Sequence, residues 1–305
     1  MRIIFLGTPD FAVASLKALV ENNYNVVAVV TAPDRPAGRG RKLREPAVKE
    51  FAKAQGIPVL QPVKLRDPKF LEQLKGFNAD IQVVVAFRML PEIVWDMPPL
   101  GTINVHASLL PQYRGAAPIN HVLINGETET GVTTFKLKHE IDTGGILLQD
   151  KISIEKEDNA GSLHDKLMVL GADLLVKTLE KIQDDSVTPT DQSELLGDSE
   201  VKHAPKIFKE DGIIDFKNNG EEIINQIRGL SPYPGAHTTL DGKTLKIYHA
   251  TFEPSTRPLS AGEVNSDGKD YLKISCKDGQ INILNLQLEG KKRMAVKDFL
   301  KGYRF

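Results

Sequence analysis

The stretch GTINVHASLLPQYRGAAP, residues 101–118, alternates before it breaks. Ile103 and Val105 are β-branched and apolar, and Asn104 and His106 interleave with them. A strand repeats every two residues, so Asn104 and His106 share one face and the apolar pair takes the other. A loop carrying Pro111 and Pro118 follows at once. The stretch therefore reads as a strand that ends by aiming an amide and an imidazole at one spot. In open α/β sheets, ligands bind outside the carboxyl ends of the strands. What surrounds this strand decides whether that rule applies.

Upstream, short Val/Ile-rich runs alternate with helix-like stretches. RIIFLG, NVVAVVT, IPVLQP and IQVVVAF have the compact apolar character of strands buried on both faces. Helices are expected near 10–21, 46–55 and 68–76. TGVTTFKL and ILLQDKISI read as further strands after residue 118. Leu163, Leu167, Leu170 and Leu174 then recur at helical spacing, with Ser162 and Asp165 placed as a capping box. The alternation predicts a doubly wound, mostly parallel α/β sheet over 1–187.

The character changes at DDSVTPTDQSELLGDSEV, which is polar and acidic and reads as a linker over 188–203. Beyond it lie GIIDF, a short helix near 220–230, and strand signals interrupted by glycine: KTLKIYHA, YLKISC and QINILNLQL. Residues 204–305 are expected to form a small β-barrel module. From Val201 onward there are 17 basic and 13 acidic residues, a mild excess of four positive charges.

Composition narrows the function classes. The 305 residues carry a formal charge of −1, so any nucleic-acid surface must be a local patch. Cys276 is the only cysteine, which allows no internal disulfide and no cysteine zinc site and suits a reducing cytoplasm. The histidines show no metal-ligand spacing, so no metal is expected. No apolar run approaches a membrane span. The single glycine of GTPDFA is a poor dinucleotide signal, since that fingerprint needs three.

Three polar elements could carry chemistry. Asn104 could stabilise an oxyanion, and His106 could polarise a carbonyl or move a proton. The residues alone leave open a structural amide and a satisfied core histidine. Asp142, before Thr143 and a Gly-Gly pair, is equally an ordinary turn residue or a partner for the histidine. The segment DRPAGRGRKLR places Arg35, Arg39, Arg41, Lys42 and Arg44 within ten residues, with two glycines. It is either a solvated face or a mobile loop that closes on phosphates. The tail GKKRMAVKDFLKGYRF adds a second basic stretch: an RNA contact or a solvated helix end.

INVHASLLPQYRGAAP together with IDTGG resembles the formyltransferases that use 10-formyltetrahydrofolate. RIIFLGTPDFA, PDRPAGRG, QPVKLRDP, GSLHDKL, RGLSPYPGA and GKKRM extend the resemblance over nearly the whole chain, toward the branch that acts on methionyl-tRNA. The resemblance implies a Rossmann-like catalytic domain, an OB-like tRNA-binding domain and a monomeric cytoplasmic enzyme. It implies formyl transfer from 10-formyltetrahydrofolate to the α-amino group of methionyl initiator tRNA. Asn104, His106 and Asp142 would be catalytic. Ser108, Leu109, Leu110 and Pro111 would belong to the folate site. Arg39, Arg41, Lys42 and Lys206 would meet tRNA.

Two departures from the family pattern stand out. The usual A-Y-G-x-x-L-P stretch is here Ala86-Phe87-Arg88-Met89-Leu90-Pro91, one residue shorter and with an added arginine. In relatives this segment borders the pterin pocket. HAS replaces the commoner HGS. An amino-sugar nucleotide formyltransferase would share the Asn/His/Asp set without needing the basic loop in this form. A folate hydrolase would use the same triad with water. A non-catalytic tRNA-binding module would not need the triad.

Overall fold

The computed structural model of the chain describes residues 1–37, 42–197, 200–257 and 259–304. It divides into two compact units. The first comprises Met1–Gly115, Thr130–Ile152 and His164–His203, and the second Ala116–Glu129, Ser153–Leu163 and Ala204–Phe305.

The Val/Ile-rich runs form one seven-stranded sheet. Its strands are β1 (Arg2–Gly7), β2 (Asn25–Val30), β3 (Val59–Leu60), β4 (Ile81–Val85), β5 (Thr102–His106), β6 (Glu129–Lys136) and β7 (Ile146–Ser153). The spatial order is β7-β6-β5-β4-β1-β2-β3. Strands β1 to β5 pair in parallel, and β6 runs antiparallel to β5. The order reverses at β1, which lies between β2 and β4, as expected of a Rossmann-like sheet. Ile3, Phe5, Val83 and Ile103 are fully buried, consistent with strands covered on both faces.

The connecting helices fall near their expected positions: α1 (Asp10–Glu21), α2 (Ala47–Ala54) and α3 (Pro68–Gly76). Asp67 caps α3 by accepting the Lys69 N–H at 2.9 Å, and Pro68 supplies the preset first turn. A single turn, α4 (Glu92–Trp95), precedes β5. The long helix α6 (Ala160–Gln183) begins two residues before Ser162. Its cap is Asn159, whose Oδ1 accepts the Gly161 and Ser162 N–H groups at 2.9 and 3.2 Å. Ser162 Oγ accepts the Asn159 N–H at 3.0 Å. The expected Ser162/Asp165 box is thus replaced by an Asn159/Ser162 pair one turn earlier, because the asparagine side chain reaches two orphan donors.

Helix α6 comes down directly on the strand of interest. A Cβ on Gly171 would stand 3.1 Å from Val105 Cγ1, so the glycine permits close approach. Seven residues on, the Thr178 and Thr134 hydroxyls meet at 2.8 Å. Leu163, Leu167, Leu174, Leu175 and Leu179 supply the buried stripe, and each is worth about 1.5–3 kcal/mol relative to exposure.

In the second unit, β8 (Ala236–Leu240), β9 (Lys243–Pro254), β10 (Val264–Ser266), β11 (Leu272–Cys276) and β12 (Gly279–Leu288) order as β8-β9-β12-β11-β10, and β13 (Met294–Ala295) pairs with β12. Register shifts around His249 bend β9. The sheet curls without closing among the described residues, so the expected barrel is a half-barrel with β8 and β10 as its edges. Helix α8 (Gly220–Gly229) buries Ile223 and Ile227 in the core shared with Leu245, Ile281 and Cys276. The short α9 (Val296–Leu300) seats Phe299 and Leu300 in the same core.

Two segments from before the linker belong to this second unit. Helix α5 (Pro118–Ile124) is tied by Asn120 Nδ2, which donates to the Gly229 carbonyl at 2.7 Å, and Ile124 joins the second core. Gly161 N–H donates to the Ser231 carbonyl at 3.1 Å. Long-range packing rather than local composition assigns these two segments to the second unit.

A Cβ at Gly131 on β6 would drive into the Asp150 carbonyl of β7. We expect Gly131→Ala to destabilise the first unit by about 1–3 kcal/mol, read as a lowered thermal midpoint. An unchanged midpoint would contradict this register of β6 on β7.

Candidate active site

Asn104 and His106 stand on the same face at the carboxyl end of β5. Across the ladder Asn104 pairs with Val84 on one side and Phe135 on the other, and His106 pairs with Thr133. The His106 ring is 7% exposed and meets Phe135 edge-on at 6.5 Å between centroids. Its Nε2 lies 3.0 Å from the Tyr113 carbonyl oxygen. A carbonyl only accepts, so Nε2 carries the proton in that bond and Nδ1 is the nitrogen left for chemistry. The half-buried Asn104 side chain makes no hydrogen bond to any described residue.

Asp142 arrives from the turn before β7 in a left-handed conformation, φ 54°. Aspartate tolerates that region better than most residues. Its Oδ2 accepts the Gly115 N–H at 3.0 Å and stands 4.0 Å from His106 Nδ1. That gap is too long for a direct hydrogen bond. A proton-bearing group set between the two could donate to the carboxylate. The following Gly144 lies so close to β6 that a Cβ would strike the Lys136 carbonyl.

The loop after β5 is fastened rather than free. Thr133 Oγ1 accepts the Leu110 N–H at 3.1 Å and donates to the Ser108 carbonyl at 2.7 Å. Gln149 Nε2 donates to the Leu110 carbonyl at 2.8 Å. Ser108 is fully buried and its hydroxyl donates to the Gln112 carbonyl at 2.7 Å. Leu110 packs with Phe135 and Ile146, Pro111 is buried, and Leu109 is half-buried. The side chains of Ser108, Leu110 and Pro111 therefore hold the loop's shape. A ligand here would meet backbone and Leu109 more than the serine hydroxyl.

One residue escaped the sequence reading. Gln192 lies in the expected linker, yet it is 2% exposed and opens a short helix, α7 (Gln192–Leu196). Its Nε2 donates to the carbonyls of Asp142 and Gly144. Arg88, noted as a departure, clasps the loop after β3: Nη1 and Nη2 donate to the Val63 and Pro62 carbonyls at 3.0 and 2.5 Å. Burial, and then repulsion from Arg35, push its guanidinium below the usual value. Phe87 and Leu90 of the same segment pack in the core.

Arg39 and Arg41 lie outside the described residues, as does the side chain of Lys42. The arms of their loop are described: Arg35–Ala37 and Lys42–Arg44 pair antiparallel, with Arg35 opposite Arg44. Like charges across a ladder repel, which an anionic partner would relieve. At its base, Asp34 accepts from Lys49 Nζ at 2.7 Å and from Gln61 Nε2 at 2.7 Å. Glu45 meets Lys49 and Lys53 at 3.1 and 3.0 Å. The acids flanking the basic segment are thus occupied. In the second unit, Lys206 is exposed, with Nζ 5.3 Å from the Phe208 ring centroid. The basic tail is partly engaged: Arg293 stacks on Tyr248 at 4.4 Å, and Lys297 pairs with Asp270 at 3.1 Å.

Among the described residues, no group of three or more His, Cys, Asp or Glu side chains could hold a metal ion, and no helix is long and apolar enough to cross a membrane. An amide without a hydrogen bond to any described residue, an oriented imidazole and a carboxylate facing it near the end of β5 could together support acyl-type transfer. Residues 1–179 match the formyl transferase family, and residues 206–304 match the formyl transferase C-terminal domain. The chain belongs to this family. It is 55% identical over 311 residues to the methionyl-tRNA formyltransferase of Phocaeicola vulgatus, covering 100% of this chain and 96% of that one. It is 50% identical over 309 residues to that of Bacteroides thetaiotaomicron, with the same coverage. The fold is similar to a crystal structure of the Helicobacter canadensis N-formyltransferase in complex with folinic acid and dTDP-3-aminofucose, with TM-score 0.68 and 21% identity over 96% of this chain and 99% of that one.

The Gln61 and Lys49 bonds hold the Asp34 carboxyl below the usual range. A depressed acid adds stability above its unfolded midpoint, and that stability is lost as pH falls through the folded midpoint. Gln61→Leu should move the Asp34 midpoint upward in an NMR titration. A midpoint at the ordinary carboxylate value in the unsubstituted protein would contradict the network.

Proposed function

We propose that the chain transfers the formyl group of 10-formyltetrahydrofolate to the α-amino group of methionyl initiator tRNA. The observation that carries this reading is the convergence at the end of β5. His106 Nδ1 opposes Asp142 Oδ2 at 4.0 Å, and the unpartnered Asn104 amide shares its face. When bound, the folate supplies a formyl carbon activated for transfer. The half-buried Asn104 amide fits that group, since Nδ2 can donate to the formyl oxygen as negative charge builds there. His106, with Nε2–H held by Tyr113, presents Nδ1 to polarise the same oxygen when protonated. Asp142 accepts the proton that the attacking amine loses, directly or through water, and the formyl carbon–N10 bond breaks as tetrahydrofolate leaves with a proton on N10. The amine must be neutral to attack, so a carboxylate at this spot has a defined task. Ser108, Leu109, Leu110 and Pro111 form one wall of the folate site through the loop shape they maintain.

The acceptor is a polyanion, and the basic groups are local. We assign Arg39, Arg41 and Lys42 to the acceptor end of the tRNA and Lys206 to its backbone. Phosphate contacts position such a substrate, while a few base contacts specify it. The working division is 1–187 for catalysis, 188–203 as the connection and 204–305 for tRNA. The enzyme acts as a monomer in the cytoplasm.

Removing one oxyanion donor costs roughly 10²–10³ in rate. Asn104→Ala should lower kcat by about that factor. Asp142→Asn should fold normally and lose most turnover, with little change in either KM. A wild-type kcat for Asp142→Asn would contradict its proton-transfer role. Arg39→Ala should weaken productive tRNA binding and reduce the slope of log kcat/KM against log salt by about one. An unchanged slope would make the loop a solvated face.

A further inference from the structure

By composition residues 188–203 are a spacer, but the described residues 190–197 and 200–203 run along the catalytic loop as a strap. Thr190 and Ile146 exchange both backbone hydrogen bonds at 2.8 Å. Gln192 commits its whole amide. Its Oε1 accepts from Arg114 Nε and Nη2 at 3.0 and 2.7 Å, and its Nε2 donates to the Asp142 and Gly144 carbonyls at 2.8 and 2.9 Å. Farther along, Gln112 Nε2 donates to the Glu200 carbonyl at 3.2 Å, and the Lys202 N–H donates to Gln112 Oε1 at 2.7 Å. Tyr113 N–H donates to the Lys202 carbonyl at 2.6 Å. Tyr113 is the residue whose carbonyl fixes His106, and Asp142 is the carboxylate facing that ring. The strap therefore holds both neighbours of the imidazole.

We propose that Gln192 is a positioning residue for formyl transfer, fixing the left-handed Asp142 turn so that the carboxylate stands opposite His106 Nδ1. The inference rests on the reading of Asp142 as catalytic. The physical reason lies in the turn itself. Asp142 occupies φ 54°, which an aspartate leaves readily when nothing holds it. Two donors from one buried amide grip the carbonyl of Asp142 and that of Gly144 two residues on. Arg114 grips the other end of the same amide, and the adjacent Gly115 N–H holds the Asp142 carboxylate. Arg114, through Gln192, and Gly115, directly, thus set the backbone and the side chain of Asp142. Without the amide, two carbonyls lose their donors and the turn can relax. A misplacement near 1 Å at a reacting group can cost about 10²-fold.

Gln192→Glu is the sharpest variant. It keeps the shape and the acceptor for Arg114 but replaces the doubly donating Nε2 with an oxygen that cannot donate. Gln192→Met, of similar length and without hydrogen bonds, is the second. Each would be assayed as the full chain with 10-formyltetrahydrofolate and methionyl initiator tRNA, alone and combined with Asp142→Asn. The expected result is a fall in kcat of about 10- to 100-fold with both KM values little changed. In the Asp142→Asn background, either change should add little, because a residue that acts through Asp142 has nothing left to position. A wild-type kcat in the folded Gln192 variants would overturn the proposal. So would an undiminished loss in the Asp142→Asn background, which would mean that Gln192 acts elsewhere. Failure of both variants to fold would assign Gln192 to stability and reject the positioning role. A wild-type kcat for Asp142→Asn itself would instead remove the catalytic reading on which the proposal stands.

Discussion

The bond from His106 Nε2–H to the Tyr113 carbonyl is the constraint on which the site depends. It chooses the tautomer, because a carbonyl cannot donate. It also chooses the orientation, turning Nδ1 toward Asp142 rather than into the sheet. Everything that holds Tyr113 therefore holds the imidazole. Tyr113 itself sits at φ 62° within a loop secured from β6 and β7 by Thr133 and Gln149. The loop is stapled on several sides, and such preorganisation is what a site that stabilises developing charge would need.

The sheet supplies the second half of the account. Five parallel strands deliver their carboxyl ends to one edge, and β5 brings Asn104 and His106 there on the same face. Its antiparallel neighbour β6 brings Thr133 directly opposite His106. Helix α6 presses on β5 through Gly171 and on β6 through Thr178, so the strand that bears the site has little freedom to shift. Strand packing and chemistry are linked through that contact.

Much of this was legible in the sequence because the signals are local. Val/Ile runs and helical leucine spacing located the sheet and α6, and the two-residue period of 103–106 put Asn104 and His106 on one face. Asn104, His106 and Asp142 were singled out as a set only with the family resemblance beside them, since each residue alone also suits a structural role. Gln192 was hidden: its partners lie 50 and 78 residues away, and a lone glutamine in a polar stretch carries no periodic signal. The same physics hid α5, whose sequence reads with the first domain while Asn120 and Ile124 pack in the second unit. The cap of α6 moved to Asn159 because an asparagine with two reachable N–H groups outcompetes a serine already inside the helix.

The acceptor decides the central claim. The full chain would be incubated with 10-formyltetrahydrofolate and, in parallel, methionyl initiator tRNA, methionyl elongator tRNA and an amino-sugar nucleotide. The account predicts a formylated methionyl group on the initiator tRNA and no formylated sugar. Formyl transfer to the sugar nucleotide with none to tRNA would keep the chemistry of Asn104, His106 and Asp142 and overturn the substrate. No transfer to any acceptor would contradict the account at its root.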